Sequence, residues 1–177
     1  MKKIFFVGLA LFLAGCGAKD NKPLTSTVFI EKQLDAFVAA NPDWAKDEAN
    51  EKATTDKFQH EVIRWTNEPD FLADMPLEMT EVKDTLFSEQ PYKIAVFRAY
   101  NDTARTANSI LNYTQLEIDA LASDAQLKEL AVGKKYTISG NLYKQGKRGD
   151  VKYIHVADFK GYDLGKYLFQ LTGYKEK

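Results

Sequence analysis

Residues 123–159 read SDAQLKELAVGKKYTISGNLYKQGKRGDVKYIHVADF, and this stretch decides the fold. Ser123 followed three residues later by Gln126 is a capping box, the pairing in which each side chain satisfies a backbone N–H of the first helical turn. Leu127 and Leu130 fall on one face of the short helix so begun, and Gly133 reads as its C-terminal glycine. Directly behind it Tyr136, Ile138, Gly140 and Leu142 alternate with Thr137, Ser139 and Asn141, the period of a half-buried strand whose glycine permits sharp curvature. Residues 144–150 form a loop with Gly146 and Gly149, and residues 151–159 supply the partner strand, with Ile154 and Val156 pointing inward.

Working upstream, Asn67-Glu68-Pro69 separates strand-like from helix-like periodicity. Leu77, Met79 and Val82 outline a first strand in which the step from two to three residues hints at a bulge. Residues 92–100 form a second, nearly continuously apolar strand containing Ile94, Val96 and Phe97. Residues 110–118 form a third, with a helix as the alternative because Thr114-Gln115-Leu116-Glu117 also fits a capping box. Before residue 67 the period is helical. Ile30, Leu34, Phe37 and Val38 recur at i, i+4, i+7 and i+8 behind a cap at Ser26 or Thr27, with Glu31, Lys32 and Asp35 off the stripe. Asn41 then caps a second helix with Pro42 in its first position. This charge-rich helix runs to about Trp65 and carries a small stripe, Ala45, Ala49 and Ala53, and a large one, Phe58, Val62 and Trp65. The offset between them near Thr54-Thr55 suggests a kink.

Downstream, Leu164, Leu168 and Leu171 recur at i, i+4 and i+7 before Gly173, which predicts a short C-terminal helix. The fold class is therefore α+β, and the order strand, strand, strand, short helix, strand, strand is that of the OB-fold, a five-stranded Greek-key β-barrel. Leu127, Leu130 and Gly133, then Tyr136-Thr137-Ile138-Ser139-Gly140, then the closing strand around residues 154–159, resemble the last third of the bacterial OB-fold lipoproteins of the tRNA_anti-like group. The resemblance covers at most residues 77–159 and implies a fold rather than a site.

The N-terminus points to the same kind of protein independently. Lys2 and Lys3 precede an apolar run from Ile4 to Leu13, too short to span a bilayer as a helix, which takes about twenty residues. Leu13-Ala14-Gly15-Cys16 follows and resembles the lipobox of bacterial lipoproteins. That resemblance implies diacylglycerol on the Cys16 sulfur, cleavage before Cys16 and acylation, palmitate included, of the new amino terminus, which anchors the chain to a membrane. Gly17, rather than aspartate, after the cysteine favours the outer membrane if the source has two. The organisation is then a signal peptide over 1–15, a lipidated tether over 16–26, a helical segment over 27–66, and the OB-like barrel with its C-terminal helix over 67–177.

Cys16 is the only cysteine, so packing rather than disulfides must stabilise the domain, and eleven Phe, nine Tyr and two Trp supply the area. The formal charge of -1 falls to -3 when Lys2 and Lys3 leave with the signal, a balance that argues against nucleic-acid binding. His60 and His155 are the only imidazoles and read as structural or solvated; no metal, cofactor or catalytic motif stands out. Two Asn-x-Thr sequons, at Asn101 and Asn112, and the tripeptide Arg148-Gly149-Asp150 read as chance matches.

The one candidate surface is the basic hairpin, Lys144, Lys147, Arg148 and Lys152 beside Tyr143 and Tyr153. It flanks the usual ligand face of an OB-fold and suits an acidic protein, an anionic glycan or a lipid headgroup. A solvated hairpin tip is the plain alternative. The expectation is a non-enzymatic binding or assembly module of the cell envelope, with an envelope enzyme inhibitor or a small enzyme without a recognisable motif as the alternative.

Overall fold

The computed structural model describes residues 26–87, 89–144, 147–156 and 159–177; the expected signal, Cys16, the expected tether up to residue 25 and Gly146 lie outside these residues. The first helix, α1, spans Phe29–Ala40 and buries Ile30, Leu34 and Phe37, the stripe the period predicts. Its N-cap is Val28 without a side-chain bond, while Ser26 instead accepts the Val28 N–H at 3.1 Å and donates to Glu31 at 2.6 Å. Asn41 ends α1 rather than starting the next helix, its amide donating to the Phe37 carbonyl at 2.7 Å. Residues 42–46 turn, so Pro42 starts no helix, and α2 spans Glu48–Trp65 behind Asp47, which accepts the Asn50 N–H. That choice follows from geometry, because Asp47 aims a carboxylate at the orphan donors of the first turn. No break occurs at Thr54-Thr55, whose hydroxyls donate back to the Asn50 and Glu51 carbonyls. Phe58, Val62 and Trp65 are buried, whereas Ala49 and Ala53 are exposed.

Six strands follow: β1 Leu77–Phe87, β2 Gln90–Arg98, β3 Thr114–Leu121, β4 Lys135–Lys144, β5 Lys152–Val156 and β6 Phe159–Glu176. A third helix, α3, spans Asp124–Glu129 between β3 and β4 with the expected Ser123–Gln126 capping box. It ends at Leu130, so Gly133, at φ +82°, serves the turn into β4 rather than the helix end. The strands lie in the order β3-β2-β1-β4-β6-β5, and β3 pairs in addition with β6. All pairings are antiparallel except β3 with β6. The expected bulge in the first strand sits between Met79 and Glu81. The helix-or-strand ambiguity over residues 110–118 resolves into a 3-10 turn, Ile110–Tyr113, running into β3.

The C-terminal segment departs from expectation: residues 159–176 form the longest strand, not a helix. Leu164 and Leu171 face the main core, while Leu168 packs on the opposite side against Ile94, Val96 and Leu121. The pairing with β3 passes from Gln115↔Asp163 to Glu117↔Lys166, so β6 carries one extra residue there, and Gly165 at φ +89° absorbs it. This shift of phase lets a seven-residue spacing place two leucines on one face of a strand, mimicking the helical i, i+7. The expected five-stranded count with a packing helix is thus replaced by six strands, with β5 a short edge strand and β6 central.

One main core joins α1 and α2 to the sheet, bringing Ile30, Leu34, Phe58 and Trp65 against Leu77, Phe97, Ile118 and Tyr167. Full burial contributes about 1.5–3 kcal/mol for each large apolar side chain, so the helices are integral to the domain rather than appended to it.

Candidate functional site

Around the hairpin, the structure separates the predicted residues. Tyr143 is 57% exposed near the end of β4, Lys144 closes that strand, and Lys147 is exposed. Arg148 is not a free cation at a solvated tip. Its guanidinium donates to Asp56 at 2.8 Å and to Gln59 at 3.1 Å, and Gln59 in turn donates to the Val151 carbonyl at 3.0 Å, so the hairpin is laced to α2.

Tyr153 is also withdrawn from any ligand. It stacks on Phe58 at 4.8 Å and on Trp44 at 4.2 Å, and its hydroxyl meets Thr54 at 3.1 Å. Burial raises its phenol above the ordinary value, the Thr54 bond opposing this in part. The buried residues here are therefore Tyr153 of β5 and Val151 just before it rather than Ile154, which is half-buried, while the Val156 side chain lies outside what is described; His155 is exposed, as is His60 on α2. The reason lies outside β5: Trp44, in the turn between the helices, offers a flat apolar surface that an aromatic ring fills better than an isoleucine.

What remains of the hairpin opens onto a groove of about 630 Å³ between Gly149, Asp150 and Lys152 on one wall and β2, β3 and β6 on the other. Lys152 is exposed and lies in register with Asp163 across the β5–β6 pair. Among the described residues Asp150, Lys152 and Asp163 form no ion pair. The Asp163 carboxylate accepts the Gly165 N–H at 2.9 Å, which steadies the bulge at the groove floor.

The opposite wall belongs to a charge ladder absent from the expected site. Glu117 accepts from Arg98 at 2.7 Å and from Lys166 at 2.5 Å; Lys166 also reaches Asp119 at 3.0 Å, and Asp119 is met by Lys83 at 3.1 Å. Partial burial works against the charged form of Glu117, but the bonds from Lys166 and Arg98 outweigh it and hold the carboxyl below its usual range. The Arg98 guanidinium is pushed up by its Glu117 bond. For Lys166 burial opposes the charge, yet the bonds to Glu117 and Asp119 prevail and push the ammonium up. The pattern was available in β3, where Gln115, Glu117 and Asp119 are polar at every second residue; the strand's outer face needed cations from three other strands to become a site.

A second carboxylate pair lies on α1. Glu31, which the helical period set off the buried stripe, is 7% exposed and accepts from Ser26 and, at 2.7 Å, from Ser109. Asp35 lies one turn on, half-buried, and one of its oxygens is buried without a hydrogen-bond partner among the described residues. Burial, helped by the Glu31 charge, pushes it up to about 6. The wide apolar footprint of α1 on the sheet explains both, since its flanks are covered as well as its centre.

Among the described residues no cluster of His, Cys, Asp and Glu could hold a metal ion, and no helix is long and apolar enough to cross a membrane. No protein-family profile, curated protein or solved structure matches this chain.

Proposed function

We propose that this chain is a lipid-anchored lipoprotein of the cell envelope, acylated at Cys16, that works as a non-enzymatic binding or assembly module through an OB-like barrel. Supporting the barrel is the cycle of pairings β1-β2-β3-β6-β4 and back to β1, with a parallel pair at β3–β6 and a helix between β3 and β4. This connectivity fits a Greek-key OB barrel whose last strand would be β6 and whose β4-to-β6 connection would carry an extra strand, β5.

The observation that carries the binding role is the groove beneath that connection. Its far wall is a set of mutually satisfied ions, already neutralised, while Lys152 and Asp150 on its near wall and Asp163 at its floor have no ionic partners among the described residues. Neutralised charge on one side and unpaired charge of both signs on the other suit a folded protein surface that itself carries both signs better than a uniformly anionic lipid layer or glycan.

The anchor and the groove are tested separately. Cells expressing the full chain take up labelled palmitate into it and retain it with membranes, and Cys16→Ser abolishes both; labelling that survives the substitution refutes the anchor. A photo-crosslinking residue at Lys152 yields a discrete adduct in intact cells that the same residue at Lys57, on α2, does not. Equal adducts from both positions refute the groove.

A further inference from the structure

β1 and β4 are neighbours in the sheet, yet they pair through only two residues each, Leu77↔Tyr136 and Glu78↔Lys135. Beyond Tyr136, β4 continues to Lys144, paired among the described residues on one side only, with β6. Residues 66–74, a run of turns, face this side of β4 across a gap, and among the described residues no backbone hydrogen bond joins them to residues 137–144. Between them lies a groove of about 490 Å³, lined on one wall by residues 66–73 and on the other by residues 138–142, with Phe169 of β6 reaching it beside Gly140.

Five consecutive residues of a strand can line one groove only if the strand is seen edge-on, since successive side chains point to opposite faces. The wall is therefore the open edge of β4, a row of about 17 Å at the usual strand rise along which alternate residues turn an N–H and a C=O outward. Such an edge is a template for another strand, which proteins ordinarily cover or charge. This one is charged from the facing wall. Glu68 and Asp70 line the groove, and among the described residues no lysine or arginine does. Glu68 is shared with Arg64 only at the 4.0 Å limit, and Asp70 has no ion pair among the described residues. A second copy of this chain docking edge to edge would bring the same carboxylates beside each other, which disfavours self-pairing and favours a strand of opposite charge.

We propose that the open edge of β4 is a docking edge for an extended, basic polypeptide segment of a partner protein, which adds as a strand between β4 and residues 66–73. Main-chain bonds to β4 hold the segment, and Glu68 and Asp70 select for lysine or arginine on it. The site lies apart from the groove beneath the β5 hairpin, and neither depends on the other.

The test uses the full chain and an end-blocked hexapeptide of alternating lysine and valine, with three relatives: one N-methylated at the lysine amides, one at the valine amides, and one with glutamate for lysine. Binding is read by fluorescence anisotropy and by amide exchange. The lysine peptide slows exchange in residues 137–144; one N-methylated relative, whose blocked amides face β4, binds at least about tenfold more weakly, while the other binds as the parent does. The glutamate peptide binds more weakly than the lysine one, and Glu68→Gln with Asp70→Asn erases that difference. The proposal is overturned if both N-methylated peptides bind like the parent or if the double variant keeps the preference for lysine. It is equally overturned by protection in residues 81–87 of β1 instead, by concentration-dependent protection of β4 in the chain alone, which would assign the edge to a second copy, or by no slowing up to millimolar peptide.

Discussion

Gly140 sits where β4 crosses β6 at a register shift, and it offers the sharpest test of the packing. A Cβ on Gly140 would lie 1.9 Å from the Gln170 carbonyl oxygen and 2.8 Å from a Phe169 ring carbon. The oxygen is backbone in a paired strand, so Gly140→Ala requires β4 and β6 to part by about 1 Å or more, well past the range of a strained contact. Two ladder hydrogen bonds flank the site at about 1 kcal/mol each, and the φ of +154° adds about 1 kcal/mol of backbone strain for an alanine. The expected loss is about 3 kcal/mol, a fall of roughly 6–12 °C in Tm for a domain of this size. Two further alanines separate the causes. At Gly133 a Cβ meets nothing within 4 Å but φ is +82°, so Gly133→Ala isolates the dihedral penalty of about 1 kcal/mol. At Gly149 a Cβ also meets nothing and no left-handed φ is required, so Gly149→Ala stays within about 0.5 kcal/mol of the parent. Urea and thermal unfolding should rank the three as 140, 133, 149; a Gly140→Ala chain that melts with the parent would refute the close approach of β4 to β6.

Three other outcomes follow from the same contacts. Asp35 is pushed up to about 6 from an ordinary 3.8, so its charged form opposes folding; Asp35→Asn should leave stability nearly unchanged below pH 4 and raise it increasingly between pH 4 and 6, and a gain that is flat in pH would argue against the buried carboxyl. Glu117 is held below the usual carboxylate range, so it stabilises the fold above that range and the contribution is lost as pH falls through its own lowered value. Glu117→Gln should cost on the order of 1 kcal/mol near neutrality, less in high salt and nothing in acid, which salt-dependent urea titrations would show. Trp44→Ala removes the ring on which Tyr153 stacks and should cost about 3–5 kcal/mol, whereas Arg148→Ala should cost under about 1 kcal/mol yet speed amide exchange across residues 147–152; equal costs would mean the hairpin is held by ions rather than rings.

Much of the local structure was legible because it depends on neighbours in sequence. The α1 stripe, the Phe58-Val62-Trp65 face of α2, the Ser123–Gln126 box and the Met79–Glu81 bulge are each written in a few adjacent residues, and the structure contains them all. The ambiguous places are those where two periods share a spacing. Leu164, Leu168 and Leu171 satisfy a helix as well as a strand with one extra residue at Gly165, and only pairing with both β3 and β4 makes the strand lower in energy, since an isolated three-turn helix has no partner to satisfy those edges.

The candidate site divides along the same line. Residue type and short local patterns are what the amino-acid chain by itself determines, down to a hairpin rich in lysine and arginine. Which of those side chains meet solvent was decided by partners 89 or more residues away: Asp56 and Gln59 claim Arg148, and Thr54 with Trp44 and Phe58 claims Tyr153. A charge or a ring is indifferent, as sequence, to whether it is spent in the fold or left for a ligand; the tertiary packing settles this by setting what lies within hydrogen-bond or stacking distance, and here it leaves Lys152 to the groove and turns Tyr153 into core.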